Sequence, residues 1–210
     1  MIGFSVFSKI KEKRWRKQFV NAHPTAHISN QAYIISPANL YMEEGTSIKG
    51  HAIIMNSNAK FIMKKGSGAA HNLLVSTGNH MFIPGYTYKQ VTQEIKEKYD
   101  INHDYNKDVI VDEDVWLATR VTLLCGVHVG RGAVVGSGSV VRSNIPPYAM
   151  VVGNPAKIVG FRFTPEEVIE HEKKLYPEEE RLSLEYLESN YKKYFTNKAR
   201  EIKNFIKISL

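Results

Sequence analysis

The sequence predicts an all-β solenoid, a chain wound as a three-sided prism of short parallel strands. Six consecutive hexads run from Val111 to Pro146, and a branched aliphatic opens each one: Val111, Leu117, Leu123, Val129, Val135 and Val141. Four residues after each opener stands a small or branched side chain, at Val115, Val121, Val127, Ala133, Ser139 and Ile145. A looser stretch keeps the same step earlier, through Ile28, Ile34 and Leu40, then Ile48 and Ile54, then Ile62, Gly68, Leu74 and His80. No helix has this beat, because a turn of about 3.6 residues would walk the opener around every face. An ordinary β-sandwich has no need of a fixed six-residue step. Short strands joined by bends satisfy it, with openers stacked inside and successive coils paired about 4.8 Å apart.

Residues 1–22 form a basic amphipathic segment. Lys9, Lys11, Lys13, Arg14, Arg16 and Lys17 share it with Ile2, Phe4, Val6, Phe7, Ile10, Trp15 and Phe19. The terminal coil of a solenoid exposes an unpaired edge, so a cap over that end is expected here. A basic helix resting weakly on an anionic membrane is the alternative. The order of the segment, apolar before charged and without a small-residue cleavage site, is not that of a secretory signal. Residues 23–160 form the solenoid. The steps from Leu40 to Ile48 and from Ile54 to Ile62 each carry two extra residues, read as bulged corners. With three hexads to a coil, roughly five to six coils result. Residues 81–108 break the frame and are polar and aromatic, which suits a functional loop better than a packing fault. Residues 161–210 form a helical extension. Thr164-Pro165-Glu166-Glu167 carries an N-cap hydroxyl, a proline at the first helical position and a glutamate at N3, a capping box. Leu182, Leu184, Leu187, Tyr191, Tyr194 and Phe195 mark a second amphipathic helix.

Composition narrows the classes. The chain of 210 residues, 43% hydrophobic and 23% charged, has the make-up of one ordinary globular domain. A net charge of +7 without the aromatic and basic surface of a known nucleic-acid module does not point to nucleic acid. The one cysteine, Cys125, excludes an internal disulfide and suits the cytoplasm, where we expect the protein. No apolar run approaches a membrane span.

The stretch from Val111 to Val159 resembles the acyl-CoA-binding half of the hexapeptide-repeat acetyltransferases, and more narrowly their maltose/galactoside and xenobiotic acetyltransferase branch. The matching pieces are Val115-Trp116, the Gly136 to Val141 run, Ile145-Pro146-Pro147 and Gly153-Asn154-Pro155-Ala156-Lys157. The likeness extends over about residues 27–165 and is strongest from 109 to 160. It implies a left-handed parallel β-helix, a homotrimer, and acetyl-CoA as acyl donor in a groove between subunits, with no metal required. The sequence departs from the family's pattern at Ala118-Thr119-Arg120, at Arg142-Ser143-Asn144, where the basic charge is shifted by one position, and at Cys125, where a proline is usual.

By the same resemblance, the family's catalytic histidine corresponds to His80, in Val75-Ser76-Thr77-Gly78-Asn79-His80. Its chemistry agrees. Acyl transfer from a thioester to a hydroxyl needs a base that works near neutral pH, and histidine is suited to it. His80 also stands in an opener slot at the mouth of a loop, and a residue that breaks a local rule there is a functional candidate. Thr119, Ser137, Arg142 and Ser143 correspond to cofactor-lining positions, with Pro155 and Lys157 bordering the adenine and ribose phosphate. Cations at Arg142 and Lys157 suit phosphates, and the small residues of Gly136 to Ser139 leave backbone amides open to a pantetheine arm. Asn79, Tyr86 and Tyr88 are the expected acceptor contacts, the tyrosines by stacking on a sugar ring or by packing on a neighbouring subunit. The other histidines (His23, His27, His51, His71, His103, His128 and His171) are too scattered to converge on zinc, the alternative use of this solenoid. Cys125 reads as structural, since direct transfer needs no acyl-enzyme. The function expected is O-acetylation of a sugar or a capsular or exopolysaccharide precursor. N-acetylation of an amino sugar or xenobiotic-type acceptor, and a non-catalytic trimeric scaffold, are the alternatives.

Overall fold

The structure is a computed structural model and describes residues 15–195. Lys9, Lys11, Lys13 and Arg14 lie outside the described residues, as does the chain from residue 196 onward. The short strands assemble into three sheets. The first orders β1 (His27–Ile28), β4 (Ser47–Ile48), β7 (Gly68–Ala69), β10 (Trp116–Leu117), β13 (Val134–Val135) and β15 (Ala149–Val152). The second holds β2 (Tyr33–Ile34), β5 (Ile53–Met55), β8 (Leu74–Ser76), β11 (Thr122–Leu123) and β14 (Val140–Val141). The third holds β3 (Leu40–Met42), β6 (Phe61–Met63), β9 (Val109–Val111) and β12 (His128–Val129). All these pairs are parallel, and each strand up to β11 pairs with the third one after it, so the chain visits each sheet once per circuit; β13 then pairs with β15. β16 (Lys157–Phe161) then turns back antiparallel on β15 and ends the first sheet.

The interior is built from the repeat. Val111, Leu117, Leu123, Val129, Val135 and Val141 are all fully buried, and Val115, Val121, Val127, Ala133, Ser139 and Ile145 are buried beside them. Each fully buried aliphatic of this kind is worth about 1.5–3 kcal/mol relative to exposure, so the columns hold the coil together without long strands. At the corners the chain turns through left-handed backbone, at Gly126, Gly132 and Gly138 but also at Asp114 and Arg120. Gly132 is required twice over: its φ is +66°, and a Cβ there would lie 2.5 Å from Cε1 of Tyr148.

The early half corrects the predicted frame. Met63 aligns with Val111, Ala69 with Leu117 and Val75 with Leu123. Met63, Ala69 and Val75 are buried, whereas Ile62, Gly68 and Leu74 are only half-buried and face outward. The openers therefore run Ile28, Ile34, Met42, Ile48, Ile54, Met63, Ala69 and Val75. The extra residues lie between Ile34 and Met42, where Pro37–Asn39 form a 3-10 turn, and between Ile54 and Met63. Asn56 makes the first insertion tolerable. Fully buried, it accepts from the Ser36 amide at 3.1 Å and donates to the Ser36 carbonyl at 2.9 Å, satisfying backbone that the bulge takes out of the ladder. A consequence is that His80 does not hold an opener slot, which in this frame falls on Met81.

Both ends of the coil are covered. Phe19 is buried and Trp15 packs against the same core, their rings edge-on at 5.0 Å. At the far end α2 (Pro165–Leu175) begins at the expected capping box, Thr164 with Glu167, and α3 (Leu184–Phe195) stacks Tyr191 on Phe161 at 4.3 Å. Leu187 is buried, but Leu184 is exposed. The seam between α2 and the coil is polar at its centre. Glu172, fully buried, accepts from the Tyr148 hydroxyl at 2.9 Å, the Arg131 guanidinium at 3.3 Å and the Leu182 amide at 2.6 Å. Arg131 also pairs with Glu113 at 3.1 Å. Burial, with the Glu172 carboxylate beside it, pushes the Tyr148 phenol well above its ordinary pKa. Among the described residues no helix is long and apolar enough to cross a membrane.

Candidate functional site

Three edges separate the three sheets, and two of them carry the predicted site residues. The edge between the second and third sheets releases a long excursion. β8 ends at Ser76 and the coil resumes at Val109, with α1 (Gln93–Tyr99) in between. The two limbs of the excursion are joined at its base. Gly78 and Asn106 form an antiparallel bridge, the Asn79 amide donates to the Tyr105 carbonyl at 2.7 Å, and the Lys107 amide donates to the Thr77 carbonyl at 3.1 Å. Cys125, on the next coil of the same edge, accepts from the Lys107 amide at 3.3 Å and its thiol lies 3.3 Å from the Thr77 carbonyl. These contacts give the cysteine a supporting place under the loop.

Beside this base lies a cavity of about 570 Å³. Its wall holds Asn79 and His80, together with Met55, Thr77, Thr92, Lys96 and Asn106. His80 is exposed, and its ring meets Tyr88 edge-on at 5.8 Å. Neither of its ring nitrogens has a hydrogen-bond partner among the described residues, so its imidazole is open to a ligand proton. Tyr86 and Tyr88 are exposed and do not line the cavity; Tyr88 reaches it only through His80.

Two coils further along the same edge, about 10 Å by the strand spacing, is a second cavity of about 430 Å³. Arg142, Ser143 and Lys157 line it together, with Asn144, Ile158 and Tyr194. Sequence reasoning missed its third cation, Lys193 of α3, because nothing in the helical pattern tells where the helix docks. Thr119 and Ser137 are not brought to this cavity. They stack on the edge between the first and second sheets, where the Gly138 amide donates to the Thr119 carbonyl at 2.9 Å. Pro155 is exposed in the loop between β15 and β16, next to the lining residue Ala156. Within one chain the predicted cofactor residues are thus divided between two edges.

Three of the remaining histidines have local roles. His51 and His103 sit in left-handed turns, and His128 pairs with Asp112 at 2.7 Å. Burial would raise the Asp112 pKa, but His128 and Lys64 at 2.7 Å outweigh it and hold that carboxyl below its ordinary range. No group of three or more His, Cys, Asp or Glu among the described residues is arranged to hold a metal ion.

No family model matches the chain. It is 31% identical over 121 residues to a probable macrolide acetyltransferase of Lysinibacillus sphaericus, covering 58% of this chain and 63% of that protein. It is 32% identical over 128 residues to a chloramphenicol acetyltransferase of Agrobacterium fabrum, covering 59% of this chain and 56% of that one. The chain therefore spans less than two thirds of the length of either relative. Among solved structures, a hexapeptide-repeat acetyltransferase of Vibrio cholerae superposes with a TM-score of 0.57 at 20% identity, covering 70% of this chain and 78% of that one. The chain is thus similar in sequence to these acetyltransferases and similar in fold to a solved hexapeptide-repeat acetyltransferase.

Proposed function

We propose that this chain is an acetyl-CoA-dependent O-acetyltransferase acting on a sugar or a capsular or exopolysaccharide precursor. Its coil is read as a left-handed parallel β-helix that works in the cytoplasm as a homotrimer. The observation that carries the reading is the pairing of two cavities on one edge. One is walled by an unengaged histidine and the other by Arg142, Lys157 and Lys193. A donor with phosphates at one end and a thioester at the other suits that arrangement. The three cations and the Ser143 hydroxyl hold phosphates, since both charge and donor count fit an anion. In the reaction His80 takes the proton of the acceptor hydroxyl as its oxygen attacks the thioester carbonyl. The new C–O bond forms, the C–S bond breaks, and the thiolate leaves and is protonated from the imidazolium.

The division of residues between edges supports the trimer. Thr119 and Ser137 join His80 in one site when the first edge of one copy faces the loop-bearing edge of the next. Trp116, 56% exposed on the outer face of β10, is placed for that contact. In mixed assemblies, chains carrying His80→Ala and chains carrying Ser137→Trp are expected to regenerate activity that neither has alone. A fully active monomer in sedimentation would exclude a shared site.

The phosphate assignment has its own test. Arg142→Ala and Lys157→Ala are expected to raise KM about tenfold for acetyl-CoA, and far less for the thioester that lacks the ribose phosphate. Equal effects on the two thioesters would reduce these residues to shaping the end of the coil.

A further inference from the structure

Among the described residues, Lys96 is the buried cation that the acetyl-transfer reading does not use. It projects from α1 into the wall of the His80 cavity and is only 9% exposed. Its ammonium donates to the Asn79 carbonyl at 2.8 Å and to Asn106 Oδ1 at 3.0 Å, both neutral acceptors. Among the described residues, no carboxylate forms an ion pair with it and none lines the cavity. Asp100, one turn further along the chain, spends its two carboxylate oxygens on the Asp104 and Tyr105 amides, at 2.6 and 3.1 Å. Two other buried charges are paired, Glu172 with Arg131 and Asp112 with Lys64 and His128, whereas Asp100 is held by backbone amides.

A buried charge without a counter-charge is costly. Holding Asn79 and Asn106 does not explain it, because a glutamine amide offers the same two N–H donors without a charge. An ammonium has three donors and two are used; the Tyr105 ring, 5.9 Å away, is at the outer limit for a cation–π contact.

We propose that the acceptor taken into the His80 cavity carries an anionic group, a carboxylate or a phosphate, which meets the third donor and the charge of Lys96. This rests on the acetyl-transfer reading and narrows it to acidic hydroxyl acceptors. The hydroxyl goes to His80 and the anion to Lys96, both within one cavity.

The test uses the full chain, acetyl-CoA and three matched acceptors: a neutral hexose, its uronate and its phosphate ester. The wild type is expected to favour one of the acidic acceptors by about tenfold or more in kcat/KM, the scale of a charge-assisted contact in a desolvated site. The better of the two identifies the anion. Lys96→Gln is expected to bring that preference to within about twofold with KM for acetyl-CoA unchanged, and Lys96→Arg to retain most of it. A hexose acetylated as well as both acidic partners would overturn the assignment while leaving acetyl transfer standing, as would a preference that survives Lys96→Gln. If Lys96→Gln fails to fold, the wild-type comparison decides alone. Absence of transfer to any hydroxyl acceptor, acidic or neutral, would overturn both.

Discussion

Replacing His80 with alanine is expected to lower turnover by at least about 100-fold, the usual cost of losing a general base. The structure makes this a clean substitution. His80 is exposed, lies outside the opener columns, and meets the Tyr88 ring edge-on. Its place outside the columns means that the melting temperature should hold, and KM for acetyl-CoA, which we propose is set two coils away, should hold with it. Steady-state rates and thermal melts on the same preparation check all three. Turnover unchanged within error removes His80 from the proposed mechanism and leaves that cavity without a base.

Glu172→Ala is expected to destabilise the fold by about 3–5 kcal/mol, the scale of breaking a buried ion pair by removing one partner. That corresponds to a fall in melting temperature of roughly 10 °C for a chain of this size. The truncation strands three donors at once: the Arg131 guanidinium, the Tyr148 hydroxyl and the Leu182 amide. Arg131 and Tyr148 lie on successive coils, whereas Leu182 precedes α3, so the damage should fall on the docking of both helices. Because α3 delivers Lys193 to the cavity we propose for the phosphates, KM for acetyl-CoA should rise as the seam loosens, below the temperature at which the coil melts. Glu172→Gln keeps an acceptor and should cost less. A variant that melts with the wild type would show that the seam contributes little to holding the helices.

The coil was legible because its period is long and its opener distinctive, and from Val111 onward the hexads admit one frame. Earlier, the frame slipped by one for a local reason. Phe61, Ile62 and Met63 are all apolar, as are Leu74 and Val75, and Gly68 and Ala69 are both small. With neighbours this alike, alternation cannot tell the inward residue from the outward one; the ladder register decides it. Of the candidate residues, Asn79 and His80 come together at one cavity and Arg142, Ser143 and Lys157 at another. Lys96 and Lys193 were not legible. Each sits on a helix whose own pattern gives no sign of which coil it meets, and their significance comes from contacts distant in sequence.

The joined base of the excursion has a consequence for how such a protein can change. β8 pairs with β11 across the whole insertion, in the register it would have with no insertion at all. The coil thus folds without information from the loop, and lengthening the loop carries only a slow logarithmic penalty, about 0.6 kcal/mol per doubling. Residues from Met81 to Tyr105, beyond the proposed base His80, are then free to vary as a cassette, exchanged for another of different length while the proposed donor cavity stays where it is. On the proposed reading, acceptor preference and donor preference become separately heritable properties of one small chain.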